Sequence, residues 1–176
     1  MSEREPAGLV IIYTGNGKGK TTAALGLVLR AWGQDMKVVM LQFIKHSRAN
    51  FWEHRAAKRI GLEIIPAGTG FIRTEKDEEK GKLAALELWT VAVEKLISGE
   101  YRMVILDEFS YPLQFGWIAE AEVLETLRER PAGVHVVITG RDMPQGLIDY
   151  ADLVTEMKEV KHPYRKGVKA QPGIEF

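Results

Sequence analysis

The sequence predicts an α/β protein, with a mostly parallel sheet covered by helices on both faces. Three observations carry this. Short apolar runs of strand length alternate with longer stretches whose apolar residues recur every three or four positions. The first strand-to-helix junction is a glycine-rich loop, Gly15-Asn16-Gly17-Lys18-Gly19-Lys20-Thr21-Thr22. The polar residues able to do chemistry cluster just after strands, where ligands of open α/β sheets bind.

The elements follow in order. Residues 1–8 form a short, loose lead-in to Leu9-Val10-Ile11-Ile12-Tyr13, the first strand. The helix after the glycine loop carries Ala24, Leu25, Val28, Leu29 and Trp32 at helical spacing, and Gly33-Gln34-Asp35 ends it. Val38 to Ile44 is a second buried strand, leading into a polar stretch and a short helix from Asn50 to Ile60. Leu62 to Pro66 reads as a strand. A loop with Gly68, Gly70 and Phe71 follows it.

A long helix comes next, its core face marked by Leu83, Leu86, Trp89, Val93, Leu96 and Ile97. Its charged start, Lys76 to Lys80, is a solvated first turn. Tyr101 to Leu106 is a strand ending at Asp107-Glu108. A helix marked by Ile118, Ala121, Leu124 and Leu127 precedes the strand Val134 to Gly140. A short helix near Pro144 to Tyr150, a last strand from Leu153 to Val160 and a polar tail complete the chain. With no repeat or linker, 1–176 reads as a single nucleotide-binding domain.

Composition narrows the classes. Net charge is zero, so no large nucleic-acid surface or anionic membrane is called for. There is no cysteine, which removes disulfides, thiolate metal sites and a cysteine nucleophile. The charged start is no signal peptide and no run has the length of a membrane span, so a cytoplasmic protein is expected.

The glycine loop reads as a phosphate cradle, or P-loop, with a plain glycine-rich turn between strand and helix as the alternative. Its backbone N–H groups can wrap a polyphosphate, and the helix N-terminus adds partial positive charge. Lys20 can reach the phosphates and Thr21 can offer its hydroxyl to Mg²⁺. Thr14 stands where the strict motif has its first glycine. Asp107 and Glu108 end an apolar strand, where an acid of a P-loop protein holds Mg²⁺. Spacing alone does not choose between them, and a helix-capping role is the alternative. Arg141 can pair with phosphate or ribose, or form a surface ion pair with Asp142 or Asp149.

His46, His54, His135 and His162 have no metal-ligand spacing, and His135 reads as structural. Ser110 lacks the glycines of a nucleophile elbow. Trp32 and Trp89 are expected on core faces. Trp52, Phe71 and Trp117 either pack or form an apolar patch for a planar ligand.

With these motifs assembled, the chain resembles the P-loop-type ATP:corrinoid adenosyltransferases from about Leu9 to Phe176. The resemblance rests on Thr14 to Ala24, Gln42-Phe43-Ile44-Lys45, Gly68-Thr69-Gly70-Phe71, Val104 to Glu108 and Val137 to Arg141. Val160-Lys161-His162 and Gly167 to Gln171 in the tail add to it.

It implies a P-loop NTPase, RecA-like architecture and a transferase acting on a corrinoid, with ATP as co-substrate. Co(I) of the reduced corrinoid attacks C5′ of Mg-ATP, and triphosphate leaves. The nucleotide lies reversed in the loop. Gly15, Asn16, Gly17, Lys18, Gly19, Lys20, Thr21 and Thr22 then hold the triphosphate, and Arg141 lies on the nucleotide. Thr21 and Glu108 serve Mg²⁺, with Asp107 as the second candidate, and Phe71 crowds the lower corrin face. Lys20, Thr21 and Phe71 are the catalytic candidates.

The resemblance also implies a homodimer, a flavoprotein reductant and a place in cobalamin biosynthesis. Two departures stand out. Arg73 occupies a place where the family often has tryptophan, and suits a corrin amide or carboxylate. The N-terminal arm that covers the site in many members is short here, at about eight residues. The rivals are a P-loop small-molecule or nucleoside kinase, with Asp107 as base, and a non-catalytic ATP-dependent switch.

Overall fold

A computed structural model describes residues 7–46, 52–68 and 74–174. Its strands are β1 (Val10–Thr14), β2 (Val38–His46), β3 (Glu63–Gly68), β4 (Met103–Asp107), β5 (His135–Thr139) and β6 (Leu153–Glu156). They form one sheet in the order β3-β2-β4-β5-β1-β6, and every pairing is parallel. The helices are α1 (Lys20–Trp32), α2 (Trp52–Ile60), α3 (Glu75–Ile97), α4 (Ser110–Gln114), α5 (Glu120–Glu129) and α6 (Gln145–Tyr150).

Strand alternation divides the core in two. One face carries Val39, Leu41, Val104, Leu106, Val136 and Ile138, packed against Ala85, Leu88, Trp89, Ala92 and Leu96 of α3 and Val123 and Leu127 of α5. Phe109 seals it, with its ring 4.7 Å from Phe43 and 5.2 Å from Trp89. The other face carries Ile11, Val38, Met40, Met103, Ile105 and Val137 under Ala24, Val28 and Ala31 of α1. The predicted two-sided α/β architecture is therefore present, and among the described strands it is wholly parallel.

Several details differ from expectation. Trp32 is not on the core face of α1: it is 52% exposed, and Leu29 61%. The buried stripe is instead Lys20, Ala24, Val28 and Ala31, whose small alanines let the helix lie close to the sheet. On α3, Leu83 and Ile97 are likewise exposed, and Ala85, Leu88 and Ala92 hold the stripe. The charged start of α3 has a structural use: Thr74 and Asp77 form a capping box.

Residues 110–114 form a helix that was not expected, α4, and α5 starts at Glu120, leaving Ile118 buried in the turn before it. The last strand stops at Glu156, where its partner β1 also ends and the chain passes beneath the glycine loop. The Met157 N–H donates to the Thr14 carbonyl, and the Met157 carbonyl accepts from the Gly17 N–H.

Candidate active site

The parallel topology places the carboxyl ends of β1, β2, β4 and β5 along one edge. A cavity of about 810 Å³ opens there, lined by 16–22 of the loop, Glu108, Arg141 and tail residues that include Glu159, His162, Tyr164 and Arg165. That volume suits a nucleotide-sized ligand.

The loop is shaped by its glycines at the two positions of positive φ, Gly15 (90°) and Gly19 (114°). Gly17 is required for a different reason, since a Cβ there would stand 2.6 Å from the Met157 carbonyl oxygen. The exit of β6 is thus the floor of the loop. Thr14 replaces the usual first glycine without strain because it is the last residue of β1, in strand geometry, with Gly15 making the turn.

Lys20 is buried, and its Nζ donates to the carbonyls of Gly15 (2.7 Å) and Gly17 (2.9 Å). Burial lowers its pKa and Arg141 adds to the effect, while Glu108, Asp107 and Asp142 oppose it. The loop therefore holds an ammonium that a phosphate anion would stabilise.

Behind the loop the apolar ladder of the α1 face continues one pleat further as polar residues: Gln42 after Met40, Asp107 after Ile105 and Thr139 after Val137. All three are fully buried. Asp107 Oδ1 accepts from the hydroxyls of Thr21 and Thr139, each at 2.8 Å, and Oδ2 accepts from Gln42 Nε2 at 3.1 Å. His54 Nε2 lies 2.7 Å from Gln42 Oε1. Thr21 donates its one proton inward to Asp107, so its lone pairs remain to meet a cation.

Glu108 is the neighbour that faces the cavity. Its φ is 57°, a conformation rare outside glycine. Thr139 holds the turn in place: its Oγ1 accepts from the Glu108 N–H and its carbonyl from the Phe109 N–H, both at 2.9 Å. The two acids that spacing left undivided are thus divided by burial, Asp107 inward and Glu108 outward.

Arg141 is exposed on the cavity wall, and its carbonyl accepts from Gln114 Nε2 at 2.7 Å. The loop residues, Thr21, Asp107, Glu108 and Arg141 therefore meet at one site. Phe71, Arg73 and the side chain of Trp52 lie outside the described residues. Trp117 packs on Phe115 with rings 4.7 Å apart and does not line the cavity. Ser110 is buried with its hydroxyl unbonded, far from a nucleophile's exposure.

Gln42, His54 and Thr139 received no role from the sequence, nor did the tail. The signal for Gln42 and Thr139 was present: each is a polar residue in phase with the buried positions of an apolar strand. His54 and the tail had no such signal. In the tail, a single turn of 3₁₀ helix (Pro163–Lys166) is capped by His162, and Arg165 pairs with Glu159 at 2.6 Å. Lys18 Nζ reaches the Ile174 carbonyl at 3.4 Å.

Among the described residues no group of three or more His, Cys, Asp or Glu could hold a metal. None of the described helices is long and apolar enough to cross a membrane.

A corrinoid adenosyltransferase of Pseudomonas aeruginosa is 38% identical, over 98% of this chain and 86% of that one. One from Escherichia coli is 39% identical, over 98% and 88%. The flagellar accessory protein FlaH of Methanocaldococcus jannaschii has a TM-score of 0.51 at 13% identity, covering 86% of this chain and 71% of that one, a likeness of fold alone. The family model for ATP:corrinoid adenosyltransferase BtuR/CobO/CobP matches residues 6–176. The chain thus belongs to the ATP:corrinoid adenosyltransferase family, a family of transferases.

Proposed function

We propose that the chain transfers the 5′-deoxyadenosyl group of ATP to the Co(I) of a reduced corrinoid. The cobalt electron pair attacks C5′. A Co–C bond forms, the C5′–O bond breaks, and triphosphate leaves with the bonding pair. The observation that carries this reading is a nucleotide-sized cavity at the P-loop in a chain matched by the family over residues 6–176.

The residues present fit the roles. Gly15 to Thr22 wrap the triphosphate with N–H groups, and Lys20 turns from the loop carbonyls to the leaving oxygens. Arg141, which lines the same cavity, meets the nucleotide. A hard cation fits the donor set, which is all oxygen: the Thr21 hydroxyl and the Glu108 carboxylate at the cavity. Asp107 sets the Thr21 hydroxyl from behind. Bound Mg²⁺ supplies neutralisation of triphosphate charge. Phe71 is assigned to the lower corrin face by resemblance, and F71A should slow reactions begun from Co(II) more than those given Co(I). A homodimer and a flavoprotein electron donor belong to the same proposal.

The kinase reading needs Asp107 as a base facing an acceptor. Its full burial and three accepted hydrogen bonds turn it away from the cavity. An anaerobic assay with ATP, Mg²⁺ and chemically reduced corrinoid tests the proposal. Adenosylcorrinoid with triphosphate supports it. ADP formed with a hydroxyl acceptor supports the kinase, and binding without turnover the switch.

A further inference from the structure

We infer that His54 is a positioning residue for the cation site, acting through Gln42 and Asp107 on the Thr21 hydroxyl. The inference rests on the proposed metal role of Thr21, whose hydroxyl Asp107 orients.

The geometry fixes each donor in turn. Gln42, midway along β2, and Asp107, at the carboxyl end of β4, are register partners on adjacent strands, so their side chains leave the same face of the sheet. Carboxylate oxygens accept, so the Gln42 NH₂ faces Asp107 and its carbonyl oxygen faces His54. The amide cannot turn over without setting its oxygen against Asp107 Oδ2. His54 must then donate from Nε2, and it does so in its Nε2–H tautomer and in the imidazolium alike. The bond therefore does not depend on the ring's charge.

With Gln42 held at both ends, Oδ2 of Asp107 is fixed and Oδ1 is presented to Thr21 and Thr139. Thr21 consequently points its proton inward and its lone pairs toward the cavity. His54 stands three residues before the buried Ala57 on α2, on the same side of the helix. Ala56 of this helix also lines the cavity. The docking of α2 is thereby tied to the orientation of a hydroxyl on α1. Without His54, Gln42 Oε1 would lose this donor and its amide could swing away from Asp107.

The test uses Mn²⁺ as the probe, in the full-length protein. Retention of Mn²⁺ with ATP is followed by electron paramagnetic resonance, and ATP binding in a chelator by calorimetry. H54L should weaken Mn²⁺ retention by ~10-fold, leave metal-free ATP binding within about twofold, and regain turnover at high Mg²⁺. H54Q, whose amide NH₂ can take the place of Nε2–H, should restore metal affinity; restoration by this variant separates donor loss from misfolding. D107N should weaken Mn²⁺ retention at least as much as H54L. Wild-type Mn²⁺ affinity in H54L, or H54Q as defective as H54L, overturns the inference while leaving the metal reading intact if D107N is impaired. Unchanged affinity in D107N overturns Asp107's part in the cation site and the inference with it.

Discussion

Glu108 adopts a left-handed backbone conformation although it bears a side chain, and three partners fix it there: Asp107 before it, Phe109 after it and Thr139 beneath. Such strain costs a non-glycine residue on the order of 1 kcal/mol or more, so the side chain's place in the cavity is its compensation. E108G should therefore raise the melting temperature by ~2–4 °C while abolishing metal-stimulated turnover. A lower melting temperature would show that Glu108 serves the fold instead. Lys20 is argued at the same scale. K20A removes the cation facing the leaving group and should lower turnover at saturating ATP by ~10²–10³-fold. Full turnover would remove Lys20 from that role. His135 is structural, as its place in a strand suggested: its Nδ1 accepts from the Leu9 N–H at 3.0 Å. Burial, then Arg102 and Arg130, lower its pKa from 6.5. The unfolded chain thus takes up a proton first as pH falls below 6.5. Stability should drop through that window and level off once the folded ring is protonated. H135Q, with an amide oxygen as acceptor, should flatten the drop in thermal unfolding measured against pH.

At the scale of elements, the loop and β6 act as one unit, because Gly17 touches the Met157 backbone and bonds to it. G17A should force the two apart, costing ~1–3 kcal/mol of stability and weakening ATP binding in the same variant. Unaltered ATP affinity would show that the cradle keeps its shape without this contact. The loop, its strand and its helix were legible because glycine spacing and apolar runs are local signals. Helix faces were less legible: hydropathy picked Leu83 and Trp32 for burial, whereas alanines carry the close contacts with the sheet. The division of labour between Asp107 and Glu108 was not legible, because it depends on a turn held by Thr139, a distant residue in sequence.

The whole molecule explains why so few residues can make this site. A parallel sheet with β1 between β5 and β6, and β4 between β2 and β5, brings the loop, the paired acids and Arg141 to one edge. The parallel, two-sided sheet was readable from alternation, as was the gathering of these residues at strand ends, but the strand order was not. What alternation could not supply was the direction of the nucleotide, since an N–H cradle grips a triphosphate whether it is a donor of phosphoryl groups or a leaving group. Family membership favours the leaving group, and the inward-facing Asp107 supports it by withdrawing the residue that the kinase reading would use as base. Bond cleavage decides the matter most directly. With a heavy-oxygen label at the 5′ bridging oxygen of ATP and Co(I) corrinoid as acceptor, mass spectrometry should find the label wholly in released triphosphate and none in a nucleoside product. Label retained in ADP, with cleavage at the γ-phosphorus, would contradict the account.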